Sequence, residues 1–232
     1  MPQVSKLILA LAAVTALGLG TPSAKADTIT FDSLSAMTNS VGTPVPVSAR
    51  LSNQLLSSGV RFSSGSDFVA VVNLGSGHAT SGVNGIGGVN SAGQLSYFSP
   101  VTVTFFLPSD SAIQAVTDFV SIRGDMFPIA GAITLQAFDI NGNLLGSVTR
   151  PDSVGTILSL SVAGIHSIRL TQSSGTVAFD DLAFNTLVAA GTTTPVPEPT
   201  AMLLLGTGLA GVGGIIKRRR RRAKSNGACR SQ

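Results

Sequence analysis

Between Asp27 and Phe184 apolar and polar residues alternate in short runs broken by Gly, Pro, Asn and Ser, as in Val101-Thr102-Val103-Thr104-Phe105 and Ile133-Thr134-Leu135-Gln136-Ala137. A period of two puts successive side chains on opposite faces of a strand, so such runs predict half-buried strands. About ten are predicted, near residues 28–31, 59–63, 68–72, 101–107, 119–123, 133–138, 144–149, 157–162, 167–171 and 177–184. No run with a helical period of 3.6 separates them. The expected class is therefore all-β, a jelly-roll-like β-sandwich. Asn141-Gly142 predicts a hairpin with a tight primed turn, which needs positive φ at its centre. The Gly-rich stretch 73–93 predicts a surface loop at one end of the sandwich.

The two ends break this pattern. Lys6 precedes an uncharged apolar run from Leu7 to Gly20, and Ala24 and Ala26 form an Ala-x-Ala cleavage signal. Charged, apolar and small segments in that order predict a secretory signal peptide over residues 1–26, cut after Ala26. At the other end Val196-Pro197-Glu198-Pro199 leads into an uncharged run from Ala201 to Ile216 and then into Lys217, Arg218, Arg219, Arg220, Arg221 and Arg222. As a helix that run spans about 24 Å, short for a hydrocarbon core of about 30 Å. Basic stems reach towards the interface and lengthen it, and the positive-inside rule puts the cluster in the cytoplasm and the body outside. The chain thus divides into a signal peptide (1–26), a β-sandwich (27–187), a linker (188–196), a motif with transmembrane helix and basic cluster (197–222), and a basic tail (223–232).

The carboxyl-terminal arrangement of Pro197, Glu198 and Pro199, a short Gly-rich membrane helix and an Arg-rich end resembles the PEP-CTERM sorting signal of exported bacterial proteins. The resemblance implies a partner, the exosortase, a membrane enzyme that cleaves near the motif. It also implies sorting to the cell surface or into an extracellular polysaccharide matrix, by way of an intermediate anchored in the inner membrane. The opening Ile29-Thr30-Phe31-Asp32 and closing Phe179-Asp180-Asp181-Leu182 also look like those of domains found upstream of this signal.

Charge sharpens this organisation. The whole chain is formally +4, yet ten of its 15 Lys and Arg lie in the two ends. From Asp27 to Thr200 five Arg face ten Asp and one Glu, a net charge of −6. An acidic body with scattered Arg and no Lys excludes a phosphate-binding groove, and with it nucleic acid as a partner. The only Cys is Cys229, beyond the basic cluster, so the body has no disulfide and no catalytic thiol.

Candidate chemistry is sparse. His78 and His166 are the only imidazoles and neither sits in a nucleophile motif. Gly85-Ile86-Gly87-Gly88 lacks the spacing and the Lys of a phosphate loop, and a glycosidase would have to draw its carboxylate pair from Asp alone. The body is expected to be non-enzymatic and to need no cofactor. One metal reading stands: Asp32 and Asp181, from the first and last strands, are candidate ligands for a structural calcium, with Asp180 and Asp181 expected on opposite faces of their strand. Two alternatives for the body remain open, a carbohydrate-binding module of the matrix and a hydrolase on the same sandwich. Against the module stands the lack of Trp and the single Tyr97, since sugar rings are gripped by exposed aromatic faces.

Overall fold

A computed structural model describes residues 27–125, 131–151, 155–173 and 177–191. The signal peptide with Ala24 and Ala26, the Pro197-Glu198-Pro199 motif and the cluster from Lys217 to Arg222 lie outside the described residues. The chain divides between Ala190 and Gly191 into two units, and the first contains every described strand.

Those strands are β1 (Asp27–Ile29), β2 (Met37–Thr38), β3 (Arg50–Leu51), β4 (Val60–Ser63), β5 (Val69–Asn73), β6 (Asn84–Gly87) and β7 (Val101–Leu107), then β8 (Asp110–Asp125), β9 (Ala132–Phe138), β10 (Leu144–Pro151), β11 (Thr156–Ile165), β12 (Ser167–Gln172), β13 (Ala178–Phe184) and β14 (Val188–Ala189). Two short 3₁₀ turns accompany them, and among the described residues there is no α-helix. The class is all-β. Each of the ten strands read from alternation is present.

The strands fall into two groups. The first runs β10-β9-β12-β7-β4, antiparallel throughout. The second runs β11-β8-β13, continues through β6 to β5, and carries β1 on β13 and both β2 and β3 on β5. Strand β8 joins them: its first residues pair with β7, Ala115 and Val116 pair with β14, and the rest pairs with β11 and β13. Where it changes group, Thr117 is buried and its hydroxyl donates to the Asn185 carbonyl at 3.1 Å.

One apolar cluster lies between the groups. Val60, Phe62, Val103, Phe105, Leu135 and Ile168 come from the first, and Val71, Ile86, Ile122, Leu158, Leu182 and Phe184 from the second. The Phe105 and Phe184 rings meet across it at 5.3 Å. Fully burying each such side chain is worth about 1.5–3 kcal/mol, which makes this cluster the main source of stability.

Three expectations change. The stretch 73–93 is not wholly a surface loop: β6 is buried along its whole length, and a Cβ on Gly88 would collide with the Ser99 carbonyl. Its glycines permit close packing between layers. The Asn141-Gly142 hairpin forms, but Asn141 keeps a negative φ and only Gly142 is left-handed, at +81°. Gly142 donates its N–H to the Asp139 carbonyl, and Asp139 Oδ1 accepts the N–H groups of Asn141 and Asn143, so the side chain of Asp139 sets the turn. The linker expected from residue 188 begins later, because Val188 and Ala189 pair with β8 and Ala190 donates to the Gln114 carbonyl at 2.8 Å.

Candidate functional site

A set of side-chain to backbone hydrogen bonds ties the segment between β5 and β6 to the turn after β1 and to β13. Past β1 the backbone turns through Phe31, left-handed at φ +60°, and presents Asp32 to this segment. Asp32 Oδ1 accepts the N–H groups of Val83 at 3.0 Å and Asn84 at 3.2 Å. The buried Asn84 amide answers by donating to the Leu34 carbonyl at 3.1 Å. From β13, Asp180 Oδ2 accepts from the Ser81 N–H at 2.9 Å and the Ser81 hydroxyl at 3.3 Å, and its Oδ1 accepts the N–H of Asp181.

Asp180 is 2% exposed. Burial pushes its carboxyl from 3.8 up to about 6 against the pull of these three donors, because removing a carboxylate from water disfavours the charged form. Asp181 follows in the left-handed region at φ +50°, where the register of β13 with β8 breaks. The side chains reaching the core are Phe179, Leu182 and Phe184, a spacing of three and then two. That extra residue is a β-bulge, and it leaves Asp180 and Asp181 on the same side, away from the core, instead of on opposite faces. Asp181 Oδ2 lies 3.7 Å from Arg123 Nε.

The carboxylate that shares the 81–84 segment with Asp32 is therefore Asp180, and Asp181 faces a guanidinium. A calcium shell takes six to eight oxygens; here Asp32 Oδ1 and both Asp180 oxygens accept N–H donors and Asp181 Oδ2 faces Arg123, so the contacts these carboxylates make are those of clamps on the fold. Among the described residues no three His, Cys, Asp or Glu side chains converge as a metal set. His166 is buried, its Nδ1 2.9 Å from the Ala115 carbonyl and its ring edge-on to Phe106. His78 is half-buried in the segment after β5. Tyr97 is buried with its hydroxyl donating to Asn39 at 2.9 Å, so it offers no exposed ring. A largely apolar cleft of about 360 Å³ lies where β8 changes group, lined by Val116, Thr117, Ala163, Asn185 and Val188 among others.

The chemistry that assigns the chain a destination lies beyond this body. A family model of the PEP-CTERM protein-sorting motif matches residues 195–222. The chain carries a PEP-CTERM sorting motif. The match takes in Pro197, Glu198 and Pro199 and ends with the basic cluster at Arg222, and it implies export and sorting to the surface. No helix of the described residues is long and apolar enough to cross a membrane, and the apolar run inside the PEP-CTERM motif lies outside those residues. No curated protein matches this PEP-CTERM chain. One solved structure with a likeness to it is the crystal structure of the Bacteriophage CBA120 tailspike protein 4 enzymatically active domain, at 15% identity and a TM-score of 0.30. The likeness covers 59% of this chain and 20% of that one, so the chain spans about a fifth of it, and at that score it bears on neither fold nor activity.

Proposed function

We propose that this PEP-CTERM chain is an exosortase substrate whose cargo is a non-enzymatic, acidic β-domain. Residues 1–26 direct export, the run from Ala201 to Ile216 holds the intermediate in the inner membrane with Lys217 to Arg222 on the cytoplasmic side, and cleavage near Pro197-Glu198-Pro199 leaves the body at the cell surface or in the polysaccharide matrix. The observation that carries this reading is the sorting-motif match over residues 195–222. The body itself is best described as a jelly-roll-like sandwich of residues 27 to about 190, a reading supported by two strand groups, antiparallel except where β2 meets β5, around one core. A non-catalytic role is supported by how its acidic groups are used: Asp32, Asp180 and Asp181 each hold a partner that maintains the fold.

Replacing Glu198 by Gln keeps the length and hydropathy of the anchor and removes the one carboxylate of the motif. In cell fractions, the Glu198→Gln chain is expected to accumulate at its unprocessed size in the inner membrane while the wild type shifts to a smaller, released form. Equal processing of the two would remove the exosortase reading and leave a plain single-pass anchor.

A further inference from the structure

The outward face of the first strand group is set by register. Val60 and Phe62, Val101 and Val103, Ile133 and Leu135, and Ile168 and Leu170 point into the core. Their alternates therefore point away from it. One row across the strands reads Arg61, Thr104, Ser167 and Phe138; the next reads Ser63, Thr102, Arg169, Gln136 and Ser147; a third reads Thr171, Thr134 and Thr149. The face thus carries hydroxyls, one amide and two guanidinium groups, with the half-buried Phe138 ring ending the first row, and the strands place no carboxylate on it.

That composition departs from the rest of the body, which is net −6 between Asp27 and Thr200. A solvated face of an acidic domain would carry its share of carboxylates. Here the nearest are at the margins. Asp67 lies in the loop beyond β4, where with Ser52, Arg61, Phe62 and Ser63 it lines an open cleft of about 310 Å³. Asp139 sits at the β9–β10 turn, engaged by Asn141 and Asn143. Arg61 and Arg169 are both exposed. Among the described residues neither enters an ion pair; Arg61 rests over the Phe106 ring at 4.9 Å. With two strand spacings between them and an offset of two residues, the two Cα atoms are about 12 Å apart.

We propose that this face binds an acidic polysaccharide, with Arg61 and Arg169 each taking a sugar carboxylate and the Ser, Thr and Gln side chains between them bonding the ring hydroxyls. The planar fork of Arg matches a carboxylate with two parallel N–H donors, and a flat pleated sheet presents its hydroxyls to an extended chain at regular spacing. Binding of this kind does not require the Trp and Tyr platforms that neutral sugars use, which removes the objection raised by the aromatic-poor composition. A second copy of the chain is the poorer occupant, since two-fold packing of this face on itself brings like charges together. The inference deepens the proposed function, on which it rests for placing the body among matrix polysaccharides.

The test uses the full chain in detergent with Lys217→Gln and Arg218→Gln through Arg222→Gln, so that the cations of the sorting signal contribute nothing. Affinity electrophoresis through gels containing alginate is expected to retard this protein, and carboxyl-reduced alginate to leave it unretarded. Arg61→Gln with Arg169→Gln should weaken binding about tenfold and each alone about threefold, the loss of a charge-assisted hydrogen-bonded pair costing roughly half of a tenfold step per residue on a logarithmic scale. Arg150→Gln makes the same change in net charge as either single variant, at an exposed position off this face, and should leave binding within about twofold. The inference is overturned if alginate does not retard the protein, or if Arg150→Gln loses as much affinity as Arg61→Gln or Arg169→Gln. Tighter binding of single-stranded DNA than of alginate, or a dimer abolished by the Arg61 and Arg169 pair, would also overturn it. Because the assay uses unprocessed protein, its failure leaves the exosortase reading standing, whereas equal processing of Glu198→Gln and wild type would remove the matrix setting without changing the binding result.

Discussion

On the far side of β5 and β6 lies a second apolar layer, formed by Met37, Val45, Ala49, Leu74, Val89, Leu95 and Tyr97. On the far side of β7, β9 and β12 lies the open face of Thr, Ser, Gln and Arg side chains. Both strand groups turn one face to the same core, so the contrast isolates the other face. Where that face meets solvent, the sequence alternates strictly, as in the Val-Thr-Val-Thr of β7. Where it is roofed, alternation disappears and Val69, Ala70, Val71 and Val72 are all buried. A strand covered on both sides reads as a continuous apolar run whatever its neighbours.

The largest effect that bears on this comparison is expected in the shared core. Phe105 is fully buried and touches Phe184 across the two groups, so Phe105→Ala leaves a cavity that neither sheet can close alone. A loss of about 4 kcal/mol is expected, measured as the shift in urea unfolding of the full chain in detergent, with both groups lost in one transition. A roof that melts first while the rest stays folded would show that the two apolar clusters are energetically separate.

This contrast also explains what the sequence disclosed. The open group was readable because its alternation is a two-sided signal: Val101–Leu107 lies where the period of two puts it, to the residue. The roofed half was harder. β6 is Asn84-Gly85-Ile86-Gly87, whose composition is that of a loop and whose burial comes from residues far away in sequence. β2 and β3 are two-residue pairings with no period to detect. The clamp was half readable. Asp32 and the Asp180-Asp181 pair stand out as acids at the two ends of the body, but choosing between the two Asp required the bulge, which strict alternation conceals. The burial spacing of Phe179, Leu182 and Phe184 was the available signal, and it points to Asp180 only once the core is known.

Next in size is the titration of that clamp, which ties down the roof and has no counterpart on the open face. The Asp180 carboxyl is about 6 when folded, against 3.8 as its ordinary value. The folded state therefore holds this proton more tightly than the unfolded chain. The resulting stability is fully present below about pH 3.8 and is lost as pH rises through 6, a swing of about 3 kcal/mol at roughly 1.4 kcal/mol per pKa unit. Taking wild type minus Asp180→Asn cancels every other group, so that difference is the diagnostic quantity. That difference in unfolding free energy should fall between pH 4 and pH 7, with the variant gaining on the wild type as pH rises. A difference that grows in favour of the wild type over the same interval would mean that the three donors outweigh burial, and that the carboxylate form is the better clamp.

The smallest effect is the one the open face should show. Arg169 lies on β12 with Thr102 and Gln136 as its cross-strand neighbours, is exposed, and enters no ion pair among the described residues. Its removal exposes no core and orphans no buried group, so Arg169→Gln should change unfolding free energy by no more than about 0.5 kcal/mol. The same substitution is expected to cost about half of the logarithmic loss in alginate binding that the double variant shows. A side chain that matters for a ligand and not for the fold is the behaviour that separates a recognition surface from a merely solvated one. If Arg169→Gln instead lowered stability by 2 kcal/mol or more, the face would be structural, and its lack of carboxylates would reflect packing against something the sheet must keep in place.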